Sequence, residues 1–384
     1  MSDLAIAAIL SFLVLIAGTI SIELGISAAI IEIILGVVAG NFLQIAPTPW
    51  LTFIASFGGI LLTFLAGTEV DLKVMKENLS ESLVIGGISF LAPFALAFVF
   101  TYFVAGWTLE ASKIAGIALS TTSLAVVYAV LVETGLTTTR LGKIIMASTF
   151  VTDFGTALAL SILFVQVNFY TLLFVLVSVL MLVLAPKFLP TFFNRYEKRV
   201  IEPEIKLLFF IFFVTMFLGD LGKSHAVLPI FVLGLVLSGF FAQNHSLVQK
   251  LRTVGFALIT PFFFIKGGMN VSLGNVVANF GLVMALLGVK LIAKIVTIYP
   301  AARWQLPSGG RVFLTLLMST GLTFGTISSV FGYQEGYIDE AQFSILVTVV
   351  ILSAIVPTVI AQRFFTPEIP EEVREEILAE GEEA

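Results

Sequence analysis

Three charged side chains stand where the surrounding sequence is almost wholly apolar: Asp153 in "STFVTDFGTALALSILF" (148–164), and Lys290 and Lys294 in "MALLGVKLIAKIVTIYP" (284–300). Between Ile144 and Pro186 no other side chain is charged. An ionised group at the centre of a bilayer costs ~2.5–3.5 kcal/mol on the lenient insertion scales, so such residues face a partner or a hydrated cavity. Burial penalises the charged form of a carboxylate, and a proton or a bound cation removes that penalty. Asp153 can therefore hold a proton or a small monovalent cation, and not both comfortably. A hard cation also needs oxygen ligands. Thr149 lies one helical turn before Asp153, Thr152 adjoins it, and Thr121, Thr122 and Ser123 offer three more hydroxyls in "LSTTSL". Lys290 and Lys294, spaced i and i+4, share a helix face. A structural ion pair between Asp153 and one of these lysines is the competing use of the same groups.

Other chemistries find little support. Cysteine is absent, which removes disulfides, thiolate metal sites and cysteine nucleophiles. His225 and His245 lie near the ends of predicted spans without a second ligand close by, and read as interfacial residues. There is no Walker A pattern, hence no indication of ATP-driven pumping. No cofactor and no nucleic-acid partner is expected. Glu32 reads as structural or interfacial, Glu69 and Asp71 as residues at the cytoplasmic end of a span, and Lys266 as a lysine that snorkels from an outer helix end.

The elements that must carry these residues are membrane helices. Hydrophobic residues make up 58% of the chain and charged residues 12%, about half the share of a soluble domain. Long apolar runs predict thirteen spans near 4–21, 26–43, 50–68, 82–106, 112–132, 140–166, 168–191, 204–222, 226–242, 251–268, 276–302, 310–331 and 341–364. The first run lacks a basic leader segment and a cleavage site and reads as a retained helix. Connections after odd-numbered helices, with the C-terminal tail, carry fifteen Lys and Arg, from Lys73 and Lys76 to Arg363 and Arg374. The opposite side carries three, Lys113, Lys223 and Lys266. By the positive-inside rule the N-terminus faces out and the C-terminus faces the cytoplasm of a multi-pass cell-membrane protein. Residues 1–367 form the transmembrane domain, and 368–384 an acidic, solvated tail.

Three stretches recur in order at nearly one offset. "LGVVAGNF" from Leu35 matches "LGLVLSGFF" from Leu233, "FLAGTEVDL" from Phe64 matches "FIKGGMNVSL" from Phe264, and "LSTTSL" from Leu119 matches "LMSTGL" from Leu317. The paired helices are seven apart, an odd number, so the copies cross the membrane in opposite senses. This is an inverted-topology repeat of helices 1–6 and 8–13, with helix 7 as linker. The third pair is rich in Ser, Thr and Gly at mid-membrane depth, which weakens helix and supplies hydroxyls for freed backbone groups. Two broken helices are expected there, with Ser319, Thr320 and Gly321 in the second.

Five segments, "LLTFLAGTEVDL", "TTSLAVVYAVLVETGL", "ASTFVTDFGTALAL", "PFFFIKGGMNVSL" and "STGLTFGT", resemble in that order the monovalent cation:proton antiporter-2 family. That family belongs to the wider sodium/proton and potassium/proton exchanger superfamily. The resemblance implies a homodimer, each chain having a dimerisation domain and a six-helix core with two crossed broken helices. It places the family's ion-binding aspartate on Asp153, its broken-helix threonines on Thr121 and Thr122, and its core lysine on Lys294. The chain departs from the pattern twice. Electrogenic members carry two adjacent aspartates where this chain has Thr152 and Asp153. Many members carry Arg and Glu where it has Thr320 and Leu322.

The sequence therefore reads as an all-α secondary transporter, not an enzyme. It exchanges Na+ or K+ for H+, one for one and without net charge, by elevator-like alternating access. A sodium-coupled organic-anion symporter of related fold is the rival reading, and would need a second cation site and a buried arginine. A channel would need a continuous polar pore.

Overall fold

A computed structural model describes residues 2–367 apart from 25–26, 71, 138, 165–167, 197–200, 223, 225 and 307–309. Asp71, His225, Lys198, Arg199, Lys223 and the acidic tail from 368 onward lie outside the described residues. So does the side chain of His245.

Among the described residues the chain is all helical, and the thirteen expected spans are found in order. They begin with α1 (Asp3–Leu24), α2 (Ala28–Asn41) and α3 (Pro49–Thr68). After a short connector, α4 (Leu72–Glu77), α5 (Leu79–Val99) runs on through a π turn at Phe100–Val104. The fifth span is split into α6 (Leu109–Ser120) and α7 (Leu124–Glu133). There follow α8 (Arg140–Leu163), α9 (Phe169–Tyr196), α10 (Pro203–Leu221) and α11 (Val227–Gln243). The tenth span joins α12 (His245–Val254), a π turn at Gly255–Ile259 and α13 (Thr260–Met269). A second connector, α14 (Leu273–Ala278), leads to α15 (Phe280–Gln305). The twelfth span is split into α16 (Arg311–Leu317) and α17 (Thr323–Gln334), and α18 (Glu340–Phe364) is the last. Among the described residues, eight helical runs are long and apolar enough to cross a membrane. Lipid offers backbone groups no hydrogen bonds, which is why the spans are helices.

The observed boundaries shift some charges. The tenth span begins at His245 rather than near 251, because "HSLVQKLRTV" is amphipathic and winds into α12; Lys250 and Arg252 are thus helical. The seventh runs to Tyr196, carrying Lys187 and Arg195 within it. Lys266 does not snorkel: it is buried at 5% exposure, since α13 is packed by protein on nearly every side.

The chain divides into two compact units, residues 1–72 with 157–273, and 73–156 with 274–384. In the first, helices meet backbone to backbone at glycines. A Cβ on Gly36 of α2 would strike the Ile265 carbonyl, and one on Gly268 the Ile33 carbonyl. On α3 and α11 the same arrangement recurs, with Gly67 against the Phe231 carbonyl and Gly234 against that of Phe64. Gly36 and Gly234, like Ile33 and Phe231, are 198 positions apart, one of the offsets of the sequence repeat. Small residues let membrane helices approach this closely. Asn41 closes the end of α2, donating to Val37 O and Val271 O at 2.9 and 2.7 Å and accepting from Leu273 N at 3.0 Å. Glu69, just past α3, pairs with Arg252 at 2.9 Å. Desolvation pushes its carboxyl above the ordinary value and Arg252 pulls it back.

In the second unit α5 and the π turn that follows it carry a ladder of stacked rings, Phe90, Phe94, Phe98 and Tyr102, at four-residue spacing. Gly155 of α8 and Gly116 of α6 lie against Phe90 and Phe94. A capping box of Asp339 and Gln342 starts α18.

Candidate functional site

Both predicted breaks are present in the second unit: residues 121–123 separate α6 from α7, and 318–322 separate α16 from α17. They touch. Thr122 Oγ1 donates to Met318 O at 2.9 Å, and Ser123 N–H points to Thr320 Oγ1 at 3.5 Å. Threonines at these places serve a backbone that has lost its helical partners. Thr121 Oγ1 returns to Ala118 O at 3.1 Å and Thr320 Oγ1 to Leu317 O at 2.7 Å, each covering a carbonyl at the end of a half-helix. Ser123 Oγ accepts from Val126 N–H at 3.4 Å, at the start of α7. Ser319 Oγ, in the second break, donates back to Thr315 O in the last turn of α16 at 2.7 Å.

Lys294 reaches into the first break from α15. It is fully buried, and its ammonium donates to Ser89 Oγ at 2.8 Å, Ser120 O at 2.8 Å, Thr122 Oγ1 at 3.1 Å and, at a longer 3.4 Å, Thr121 O. Two of these are backbone carbonyls at the C-terminal, negative end of α6, where a cation is favoured. Lys290, one turn earlier and equally buried, donates to Ser353 Oγ of α18 at 2.9 Å. Its ammonium rests against Gly321, where a Cβ would collide with it and would lie 3.0 Å from Thr121 Oγ1. Gly321 is thus required for the approach of Lys290 to the second break.

Asp153 is 2% exposed on α8. Thr149, one turn away, donates to Ile145 O at 2.9 Å and touches Met318 Sδ at 3.6 Å, which brings the Asp153 helix to the second break. Thr152 Oγ1 donates to Thr149 O at 2.6 Å. Both hydroxyls so held keep their lone pairs as acceptors. Asp153 and Lys290 both lie within Coulombic reach of the Lys294 ammonium. Among the described residues the unit therefore buries the Asp153 carboxylate, the Lys290 and Lys294 ammoniums and a set of hydroxyl and carbonyl oxygens, with two interrupted helices in contact. Three partners escaped the sequence reading: Ser89 and Ser120 at Lys294, and Ser353 at Lys290. Ser89 and Ser353 are isolated serines in apolar helices that look like packing residues, Ser120 acts through a backbone carbonyl, and no spacing signal ties any of them to a lysine far along the chain.

The family profile described as "Sodium/hydrogen exchanger, transmembrane" matches residues 9–366. The chain belongs to the sodium/hydrogen exchanger family. Among its relatives is the "Probable Na(+)/H(+) antiporter 3" of Methanocaldococcus jannaschii, 26% identical over 353 residues that cover 88% of this chain and 89% of that protein. The "Na(+)/H(+) antiporter" of Enterococcus hirae is 25% identical, covering 93% and 97%. The "K(+)/H(+) antiporter 1" of Saccharomyces cerevisiae is 25% identical over 92% of this chain and 45% of its own length. Among solved structures, the sodium proton antiporter MjNhaP1 of Methanocaldococcus jannaschii superposes with a TM-score of 0.69 over 95% of this chain and 99% of its own, at 14% identity. Exchanger-family fold and sequence thus agree along almost the whole described chain.

Proposed function

We propose that this exchanger-family protein exchanges Na+ or K+ for H+ across the cell membrane, one ion for one proton, with Asp153 as the group both compete for. The observation that carries the reading is the burial of a carboxylate on a helix that touches the second of two contacting, oxygen-rich helix breaks. In one half-cycle Asp153 carries a proton. Deprotonation leaves a charge that a cation neutralises in the other, with hydroxyl and carbonyl oxygens from Thr121, Thr122, Ser123, Thr149 and Thr152 replacing water. The lone carboxylate sets the stoichiometry, because Thr152 stands where a second one would permit two protons. Relatives named as Na+/H+ and K+/H+ antiporters support cation/proton exchange as the reaction class. Elevator-like movement of the second unit, a homodimer embedded in lipid, and an outward N-terminus with a cytoplasmic C-terminus complete the proposal.

The test is transport in proteoliposomes containing a pH dye, adding Na+, K+ and Li+ in turn. The expected result is cation-dependent proton flux in the wild type and none in Asp153→Asn. Flux that survives the substitution would place the seat elsewhere.

A further inference from the structure

Lys290 is left over by that reading, and the residues against its ammonium are repeat counterparts of Asp153 and of a residue in the first break. The repeat-related stretches lie 198 or 200 positions apart, and α8 and α18 are the sixth and the last span of the two copies. At the offset of 200 that relates Phe64 to Phe264, the counterpart of Asp153 is Ser353. The second break follows the first by 198 positions, so Gly321 is the counterpart of Ser123. These two residues hold the Lys290 ammonium: it donates to Ser353 Oγ at 2.9 Å and lies against Gly321. Ser353 Oγ is also 3.4 Å from Gly321 O and 2.8 Å from Val350 O. Where one repeat has a carboxylate in its sixth helix and a serine in its break, the other has a neutral hydroxyl and a glycine, with a primary ammonium ion against both.

We propose that the Lys290 ammonium is a tethered cation filling the repeat-related counterpart of the Asp153 seat. The inference rests on the assignment of that seat. The second unit then holds two pseudo-equivalent cation positions, one open to exchange and one permanently occupied by the protein itself. Lys290 is a positioning residue: it supplies the charge that keeps the second break seated while Asp153 alternates between proton and ion. Ser353 suits this arrangement because a neutral hydroxyl accepts from an ammonium and gives a mobile metal cation no compensating charge. Gly321 suits it because any side chain would displace the ammonium.

The position should therefore accept a free cation of the same chemistry once the tether is cut. Lys290→Ala leaves a hole shaped for an ammonium on a short alkyl chain, whereas Lys290→Met fills it with an uncharged chain of similar length. Thermal unfolding in detergent is measured with increasing methylammonium chloride, with choline chloride at equal ionic strength as control. Each variant is studied alone and with Asp153→Asn, so that binding at the exchange seat does not contribute. Lys290→Ala should melt below the wild type and recover by several degrees along a saturable methylammonium curve, since a ligand that binds the folded state raises its stability. Lys290→Met and the wild type should show no such response. A Lys290→Ala protein that is insensitive to methylammonium, or that stays unfolded when produced in its presence, would overturn the proposal. So would a Lys290→Met protein that melts like the wild type. Failure of the exchange reading would register separately, as cation-dependent proton flux surviving in Asp153→Asn.

Discussion

Replacing Lys294 with methionine removes a charge from the C-terminal end of α6 while keeping the length of the side chain. The three N–H donors of Lys294 are matched at 2.8–3.1 Å by Ser89 Oγ, Ser120 O and Thr122 Oγ1. The hydroxyls can compensate, for Thr122 already donates to Met318 O. Ser120 O cannot, because it sits in a fully buried last turn. A buried acceptor stripped of its donor costs ~1–3 kcal/mol, and loss of a cation from a helix C-terminus ~0.3–2 kcal/mol. Relief of the repulsion from Lys290 offsets part of this. The net expectation is a loss of about 2–4 kcal/mol, or on the order of 2–5 °C in Tm by the size scaling of soluble proteins. Lys294→Gln, which retains an N–H donor, should lose roughly half as much by the same reasoning. Differential scanning fluorimetry of the purified protein in detergent measures the shifts, and proteoliposome flux shows whether exchange persists. An unchanged Tm with transport abolished would refute the argument, and would move Lys294 from the scaffold into the transport cycle.

Asp153→Asn should fold with wild-type yield and lose exchange, because an amide neither titrates nor neutralises a bound cation; flux and thermal stability together check this. In the wild type, proton and cation competing for one group should raise the apparent KM about tenfold per pH unit in the acid range and level off in the alkaline range; a KM constant from pH 5 to 9 would contradict a shared seat. Solid-supported membrane recordings should show no sustained current during exchange, and a steady current would demand a second titrating group. Gly321→Ala should lower both Tm and flux by forcing Lys290 and Thr121 away, whereas Gly288→Ala, whose Cβ meets nothing within 4 Å, should be neutral or add up to ~1 kcal/mol from helix propensity.

The spans were legible because lipid imposes length and hydropathy on any segment that crosses it, so even the 14-residue α2 and the two interrupted helices could be placed. The breaks at 121–123 and 318–322 could be read from Ser, Thr and Gly at repeat-related positions, and Asp153 from its isolation in an apolar run. What surrounds Lys294 could not be read, since carbonyl oxygens at the end of a half-helix belong to no particular residue type. The short α4 and α14 were missed because six-residue helices carry too few turns for a periodic signal. Lys266 was misplaced because a helix-end position says nothing of how densely the neighbouring helices pack around it.

The glycine contacts of the first unit have an electrical consequence. Where Gly36 and Gly268 press on the carbonyls of Ile265 and Ile33, and Gly67 and Gly234 on those of Phe231 and Phe64, the gap is too narrow even for a methyl group. A file of water molecules needs a wider and more polar channel than that. These seams are dielectric, closed to protons hopping along hydrogen-bonded water as well as to hydrated ions. Under the exchange proposed above, a leak along these seams would run down the gradients, and they are sealed by residues that have no side chain at all.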